Sequence, residues 1–482
     1  MTESNLLIKS STWVLSVSWI NRAMGLVSVF ILARILSPEA FGAFAVLTIV
    51  VQLADVFTNF GVEQYYIQKK NATLSELDSC WTFNLLVKLF ASVFLFGVSS
   101  TIAQHFEKAY LTLAFQVMSL FPLLSAMSNG YIMHLKRTLE FQKFVVFSAI
   151  GQLIGSMLSI IIAFIYKTYW AFVIGFMVNT LVQVLLSYLV LTSRTRLSAT
   201  SLFNALPFGK WMVFKNIIGH SRAKFDVWFS ASVFSLHGIG GYNTMKDIAM
   251  LPARELIGPL FQVLYSYMSS EKTSNERVYA TCITMLVIAV PSAVGIHMLA
   301  NKLTFLLLGE RWLEYAPVLA NLAVLTLSFT AGNVISDAIV SRGKVKLVFI
   351  YDLLTLLVSI LSLFAFLSLI ASPLSLSSFR ASIGIFMLIT GLLWLSYCLS
   401  LSWFRLFRAL FACCVAAGLM GLSISFTSAF PLHAMFSLLI SVIVGAAVYF
   451  ASLGLILKVG IFSKDDKNML SSIARALAHR FF

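Results

Sequence analysis

Between Phe208 and Ser270 the chain sets Arg222, Lys224, Asp226, Lys246, Asp247, Arg254 and Glu255 inside two apolar segments of membrane-spanning length. His237-Gly238-Ile239-Gly240-Gly241 joins the two segments, and two more cations, Arg22 and Lys88, sit inside other apolar stretches. A charge at the centre of a bilayer costs about 2.5–3.5 kcal/mol on insertion scales. Such residues are therefore expected to face one another or a watery cavity, not lipid. Arg222 and Asp226 are spaced i,i+4, share a helix face and can pair. Asp247 and Arg254 are seven apart and also share a face, whereas Lys224 points elsewhere. Arg22, Lys88, Arg222, Lys224, Lys246 and Arg254 outnumber Asp226, Asp247 and Glu255. An excess of cations in a lumen suits a phosphate or an acidic sugar as cargo. An ion-pair network with no further role accounts for Arg222 and Asp226 but leaves cations unmatched. Snorkelling to the interface is the competing account for Lys246 and Asp247, which lie near the loop.

Bond-making chemistry has no support. The sequence has no glycine-rich phosphate loop, no HExxH and no GxSxG, and its seven histidines are scattered. Cys80, Cys282, Cys398, Cys413 and Cys414 lie in or beside apolar segments without metal-ligand spacing, so no metal, cofactor or disulfide is expected. No enzyme is read here. No arginine-rich stripe with interleaved aromatics survives outside the apolar segments, which argues against nucleic acid.

These charges need helices to hold them, and the composition supplies them. The chain has 482 residues, 59% hydrophobic and only 11% charged, with a formal charge of +15. Soluble domains average about 25% charged residues, so this is the composition of a polytopic membrane protein. A crossing takes about 20 apolar residues. Fourteen stretches qualify, near 12–34, 40–64, 80–102, 110–133, 144–166, 169–191, 210–236, 242–268, 278–301, 314–338, 346–370, 377–400, 407–429 and 433–457. Ser37-Pro38, Lys167-Thr168 and Ser372-Pro373 mark turns where segments abut. Basic residues cluster in alternate loops, at Lys69-Lys70, Lys136-Arg137, Arg194 to Lys210, Lys272 to Arg277, Arg342 to Lys346, Arg405 to Arg408 and Lys458 to Lys467. The positive-inside rule then puts both termini in the cytoplasm.

Two stretches echo each other. Leu36-Ser37-Pro38-Glu39-Ala40-Phe41-Gly42 leads into the second segment and His237-Gly238-Ile239-Gly240-Gly241-Tyr242 into the eighth, about 199 positions on. Six helices per copy preserve orientation, which predicts a pseudo-two-fold axis along the membrane normal. The expected organisation is an all-α fold of 14 transmembrane helices. Residues 1–205 form one six-helix lobe and 206–400 a second. Residues 401–482 add two helices and a tail, of which Lys467 to Phe482 reads as an amphipathic helix on the inner leaflet. Pro252 and Pro291 are expected to kink their helices. Gly151 and Gly155 form a small-xxx-small packing face.

Several stretches together resemble the bacterial polysaccharide exporters of the lipid-linked oligosaccharide flippase type. Leu32-Ala33-Arg34-Ile35-Leu36-Ser37-Pro38-Glu39-Ala40-Phe41-Gly42 is similar to that family's turn before the second helix. Phe60-Gly61-Val62 through Ile67-Gln68-Lys69 looks like the ending of that helix. Leu308-Gly309-Glu310-Arg311-Trp312 with Ala316-Pro317 resembles the turn before the tenth, and Gly240-Gly241-Tyr242 with Leu251-Pro252 the eighth helix. Glu314-Tyr315 and the cluster Arg222, Lys224, Asp226 depart from the family pattern. The resemblance implies the multidrug/oligosaccharidyl-lipid/polysaccharide exporter fold, two six-helix lobes about a central cavity. It implies flipping of an undecaprenyl-diphosphate-linked oligosaccharide from the inner to the outer leaflet of the bacterial cytoplasmic membrane. It implies as partners the lipid-linked substrate, membrane lipids, a polysaccharide polymerase and glycosyltransferases, and a coupling ion, H+ or Na+. Two other functions compete. A drug antiporter of the same fold would want an acidic cavity for cationic drugs. A membrane glycosyltransferase or polymerase would want larger outside loops and acidic pairs.

Overall fold

The computed structural model describes residues 3–138, 140–204, 206–269, 275–428 and 433–458, and the tail from Lys467 lies outside them. Among these residues every regular element is helical. The chain divides into two compact units, 1–240 and 241–482.

The first unit holds α1 (Glu3–Ile35), α2 (Pro38–Thr58), α3 (Val62–Gln68), α4 (Leu74–His105), α5 (Thr112–Met118), α6 (Phe121–Ala126), α7 (Tyr131–Arg137), α8 (Phe141–Tyr166), α9 (Trp170–Val190) and α10 (Leu206–Val233). Local chemistry sets the breaks. Pro38 occupies the first turn of α2 after an extended Ser37, as suits a residue with no N–H to donate. Thr73 and Glu76 form a reciprocal capping box that starts α4. Lys167 adopts a left-handed backbone, φ 51°, and ends α8. The span expected near 110–133 is met by the helical stretch Ala109–Ala126, jointed between α5 and α6 with Pro122 in the first turn of α6, and α7 follows it separately. The Gly151 and Gly155 face packs α8 onto α9. A Cβ on Gly155 would lie 2.6 Å from the Gly175 carbonyl oxygen.

α11 (Leu236–Ala249) crosses the division between the units. The second unit continues with a π-helical segment, Pro252–Ile257, then α12 (Gly258–Ser269), α13 (Asn275–Leu308), α14 (Ala316–Leu322), α15 (Val324–Ser341), α16 (Val345–Ala365), α17 (Pro373–Leu399), α18 (Trp403–Ser428) and α19 (Ala434–Lys458). Pro252 cannot bond to the carbonyl one turn back, and the helix widens into π geometry there. Pro291, by contrast, sits inside an uninterrupted α13. Gly309 takes φ 98° ahead of a 3-10 turn, Glu310–Tyr315, that buries Trp312 completely. Tyr315, one of the departures from the family pattern, lies over the bare backbone of Gly241, where a Cβ would be 2.2 Å from its ring.

Twelve helical stretches among the described residues are long and apolar enough to cross a membrane, against the fourteen expected from the sequence. The two that do not qualify are α10 and the run 236–269, the segments that carry the charges. The burial pattern fits a lipid solvent. α16 buries Thr355 and Ser359 and exposes Leu354, Leu357, Leu361 and Phe364, the last at 67%. Water would reverse that preference, but hydrocarbon is indifferent to leucine and penalises unsatisfied hydroxyls. Both hydroxyls bond to carbonyls one turn back on their own helix.

Candidate functional site

In the first unit the structure gives Lys88 a partner that the charge count had missed. Its ammonium donates to Asp55 Oδ1 at 2.7 Å and lies 3.4 Å from Ser125 Oγ. Asp55 is on α2 and Lys88 on α4, so the pair ties two spans together. Lys88 therefore leaves the tally of unmatched cations. Arg22 is exposed on α1, with its guanidinium 6.0 Å from the centroid of the Trp19 ring. One position earlier, Asn21 reaches Ser148 on α8 at 3.3 Å.

On α10, Asp226 is fully buried and its Oδ1 accepts the Val227 backbone N–H at 3.0 Å. Arg222 and Lys224 are half-buried on the same helix. Lys224 lies one turn beyond His220, whose Nε2 is buried without a hydrogen-bond partner. A groove of about 610 Å³ runs between α2, α4 and α10, lined by Leu53, Phe57, Phe90, Phe94, Phe106 and Trp228 among others. None of the nine residues singled out from the sequence lines it. The groove is apolar, and ionic chemistry in this unit lies elsewhere.

In the second unit Arg254 and Asp247 do more than share a face. Arg254 Nη2 bonds to Asp247 Oδ1 at 3.0 Å, spanning the entry to the π segment. Both side chains are nearly half exposed, 44% and 47%, so the pair contacts its surroundings. Asn243 adds a bond to Asp247 Oδ2 at 3.4 Å. Lys246 is buried, 7% exposed, and Glu255 is half-buried within the π segment. Where α11 ends, the Thr326 hydroxyl of α15 donates to the Ala249 carbonyl. π-helical turns recur at functional sites because they aim side chains that a regular helix would place elsewhere. Among the described residues no cluster of three or more His, Cys, Asp or Glu side chains is arranged to hold a metal ion. Cys80, Cys282, Cys398 and Cys413 are buried and, like the exposed Cys414, unbridged.

Fold and composition together define a polytopic helical membrane protein, with the Lys88 and Asp55 pair set on helices long and apolar enough to cross a membrane. Residues 31–317 match the family described as polysaccharide biosynthesis protein. The chain is 24% identical over 353 residues to the lipopolysaccharide biosynthesis protein WzxC of Escherichia coli, covering 72% of each chain. It is 27% identical over 311 residues to the succinoglycan biosynthesis transport protein ExoT of Rhizobium meliloti, covering 62% of each. Its fold is similar to that of a solved structure of the lipid II flippase MurJ, captured in an inward closed conformation. The TM-score is 0.76 at 16% identity, over 93% of this chain and 99% of that one. The chain belongs to the polysaccharide biosynthesis protein family of exporters and flippases.

Proposed function

We propose that the protein carries an undecaprenyl-diphosphate-linked oligosaccharide from the cytoplasmic to the outer leaflet by alternating access. The observation that carries this reading is the concentration of ionised groups on α10 and on the run from α11 through the π segment, with Asp226 and Lys246 buried. In this reading Arg22, Arg222, Lys224, Lys246 and Arg254 hold the diphosphate or acidic sugars. Asp226, Asp247 and Glu255 keep those cations ionised and placed. Lys88 enters with its charge already balanced by Asp55.

The same reading makes α10 and the run 236–269 the seventh and eighth of fourteen spans. The lobes are then 1–205 and 206–400, with 401–482 appended, and both termini lie in the cytoplasm of a bacterial inner membrane. Family membership supports the cargo class, and the basic loops support the orientation.

Transfer of a labelled lipid-linked glycan across proteoliposomes tests the reading. Arg222→Gln with Arg254→Gln is expected to cut the rate at least about tenfold, since each cation should contribute about 1.5–3 kcal/mol to holding a phosphate. Transfer at the unaltered rate would remove these residues from the cavity.

A further inference from the structure

Asp337 lies in α15, one turn before the helix ends at Ser341. It is half-buried within Glu310–Ser341, a stretch that qualifies as a membrane span. Asp55 is held by Lys88 and Asp247 by Arg254. Asp337 differs from both: among the described residues nothing stands within hydrogen-bonding or ion-pair reach of it. An ionised carboxylate in such a place is costly without a partner or water.

A second observation lies on the same helix. Thr326, Thr330, Asn333 and Asp337 recur at intervals of four, three and four, which puts them on one face. The upper end of this stripe abuts the break in α11, where Thr326 bonds to the Ala249 carbonyl. Below it, Thr330 is 1% exposed and its hydroxyl has no partner. Asn333 makes no hydrogen bond among the described residues. One buried hydroxyl without a partner, on Thr330, is thus followed on the same face by two half-buried polar side chains, Asn333 and Asp337. On the neighbouring α16 the buried hydroxyls of Thr355 and Ser359 are tied back to their own helix. Buried polar groups without partners are rare in settled cores and mark places where a ligand or water visits.

The charged neighbours do not serve Asp337 either. The elements packed against α15 carry Arg254 and Glu255 on the π segment, Glu276, Arg277, His297 and Lys302 on α13, Lys346 and Asp352 on α16, and Arg380 on α17. Glu276 is held by Arg405, His297 bonds to the Ala320 carbonyl, and Lys302 bonds to Ser428 and Ser437. On α15's own side, Arg342 reaches Asn275 and Lys344 the Cys398 carbonyl. None of these charges lies within 4 Å of Asp337.

We propose that Asp337 takes up and releases a proton during the transport cycle and so couples a proton gradient to movement of the cargo. An O–H bond forms at a carboxylate oxygen when water reaches it from one side and breaks when water reaches it from the other; no other bond changes. Neutral, the carboxyl tolerates a dry arrangement without a partner; ionised, it requires a wet one. Asn333, half-buried on the same face one turn away, supplies the polar contact beside which water meets it. The proposal rests on the transport reading above, and the experiment separates the two.

Infrared difference spectra of the purified full chain between alkaline and acid pH are expected to show a protonated-carboxyl band. The band should be lost in Asp337→Asn and restored at shifted frequency in Asp337→Glu. In proteoliposomes a pH gradient is expected to speed transfer of labelled lipid-linked glycan at least fivefold in the wild type. In Asp337→Asn the ratio with and without gradient should fall to one. An unchanged band and an unchanged ratio in Asp337→Asn overturn the proposal, as does a wild type driven by a sodium gradient and indifferent to pH. A band lost in Asp337→Asn together with a wild type that moves no glycan under any gradient upholds the proton site and overturns the transport reading.

Discussion

At the scale of single residues, the pair Lys88 and Asp55 shows how charge is made tolerable inside this fold. Lys88 is 15% and Asp55 37% exposed, so each has surrendered much of its hydration to the other. Removing one partner strands the other; removing both restores neutrality. Lys88→Met and Asp55→Asn are each expected to lower stability by about 1–3 kcal/mol. The double variant should recover most of that loss in thermal unfolding of the detergent-purified protein. Additive losses would show that the two charges do not depend on each other. This pair was not legible in the sequence. Its members are 33 positions apart in different spans, and only the packing of α2 on α4 brings them together. Asp247 and Arg254 were legible because they are seven positions apart in one continuous helical run, even though Arg254 falls in its π segment. Asp337 escaped because a search for surplus cations passes over a lone carboxylate.

At the scale of elements, the backbones at the starts of α2 and α11 come into close contact in the first unit. A Cβ on Gly42 would lie 1.9 Å from the Leu236 carbonyl oxygen, and one on Gly240 would lie 1.8 Å from that of Pro38. The contact is reciprocal, and it joins the two stretches whose sequences echo each other. Neither obstacle is a side chain that can swing away; both are backbone. Gly42→Ala and Gly240→Ala are each expected to cost about 1–3 kcal/mol as the crossing is forced apart. Gly97→Ala on α4 and Gly219→Ala on α10 meet nothing within 4 Å. They should be neutral or stabilising by up to about 1 kcal/mol, since alanine is the better helix former. Thermal unfolding of the four variants side by side checks this, and a uniform response would show that the crossing yields without strain. The turns at Ser37-Pro38, Lys167-Thr168 and Ser372-Pro373 were readable because a proline or a left-handed residue ends a helix whatever surrounds it. The joints between α5, α6 and α7 were not, since hydropathy is blind to where an apolar run changes helix.

At the scale of the whole molecule, the span count turns on whether the two charge-bearing segments cross the membrane. Twelve spans or fourteen give every later loop the same side, because two segments that both cross or both fail to cross leave parity unchanged. The loop between α10 and α11 is the place where the two counts differ. Ser235 sits there, exposed, with its hydroxyl accepting the Gly238 N–H. In a background without the five native cysteines, Ser235→Cys is expected to react with a membrane-impermeant maleimide from outside intact cells. Asn71→Cys and Gly343→Cys, in basic loops, should react only in inverted vesicles, and Glu107→Cys only from outside. If Ser235→Cys reacts on the same side as Asn71→Cys, α10 and the run 236–269 do not cross. Their charges would then need no cavity to hold them, and the cationic passage would fall with the fourteen-span count. Reaction from outside would place Asp226 and Lys246, both buried, within the thickness of the bilayer. Only a pairing network or a wet interior accommodates ionised groups at that depth.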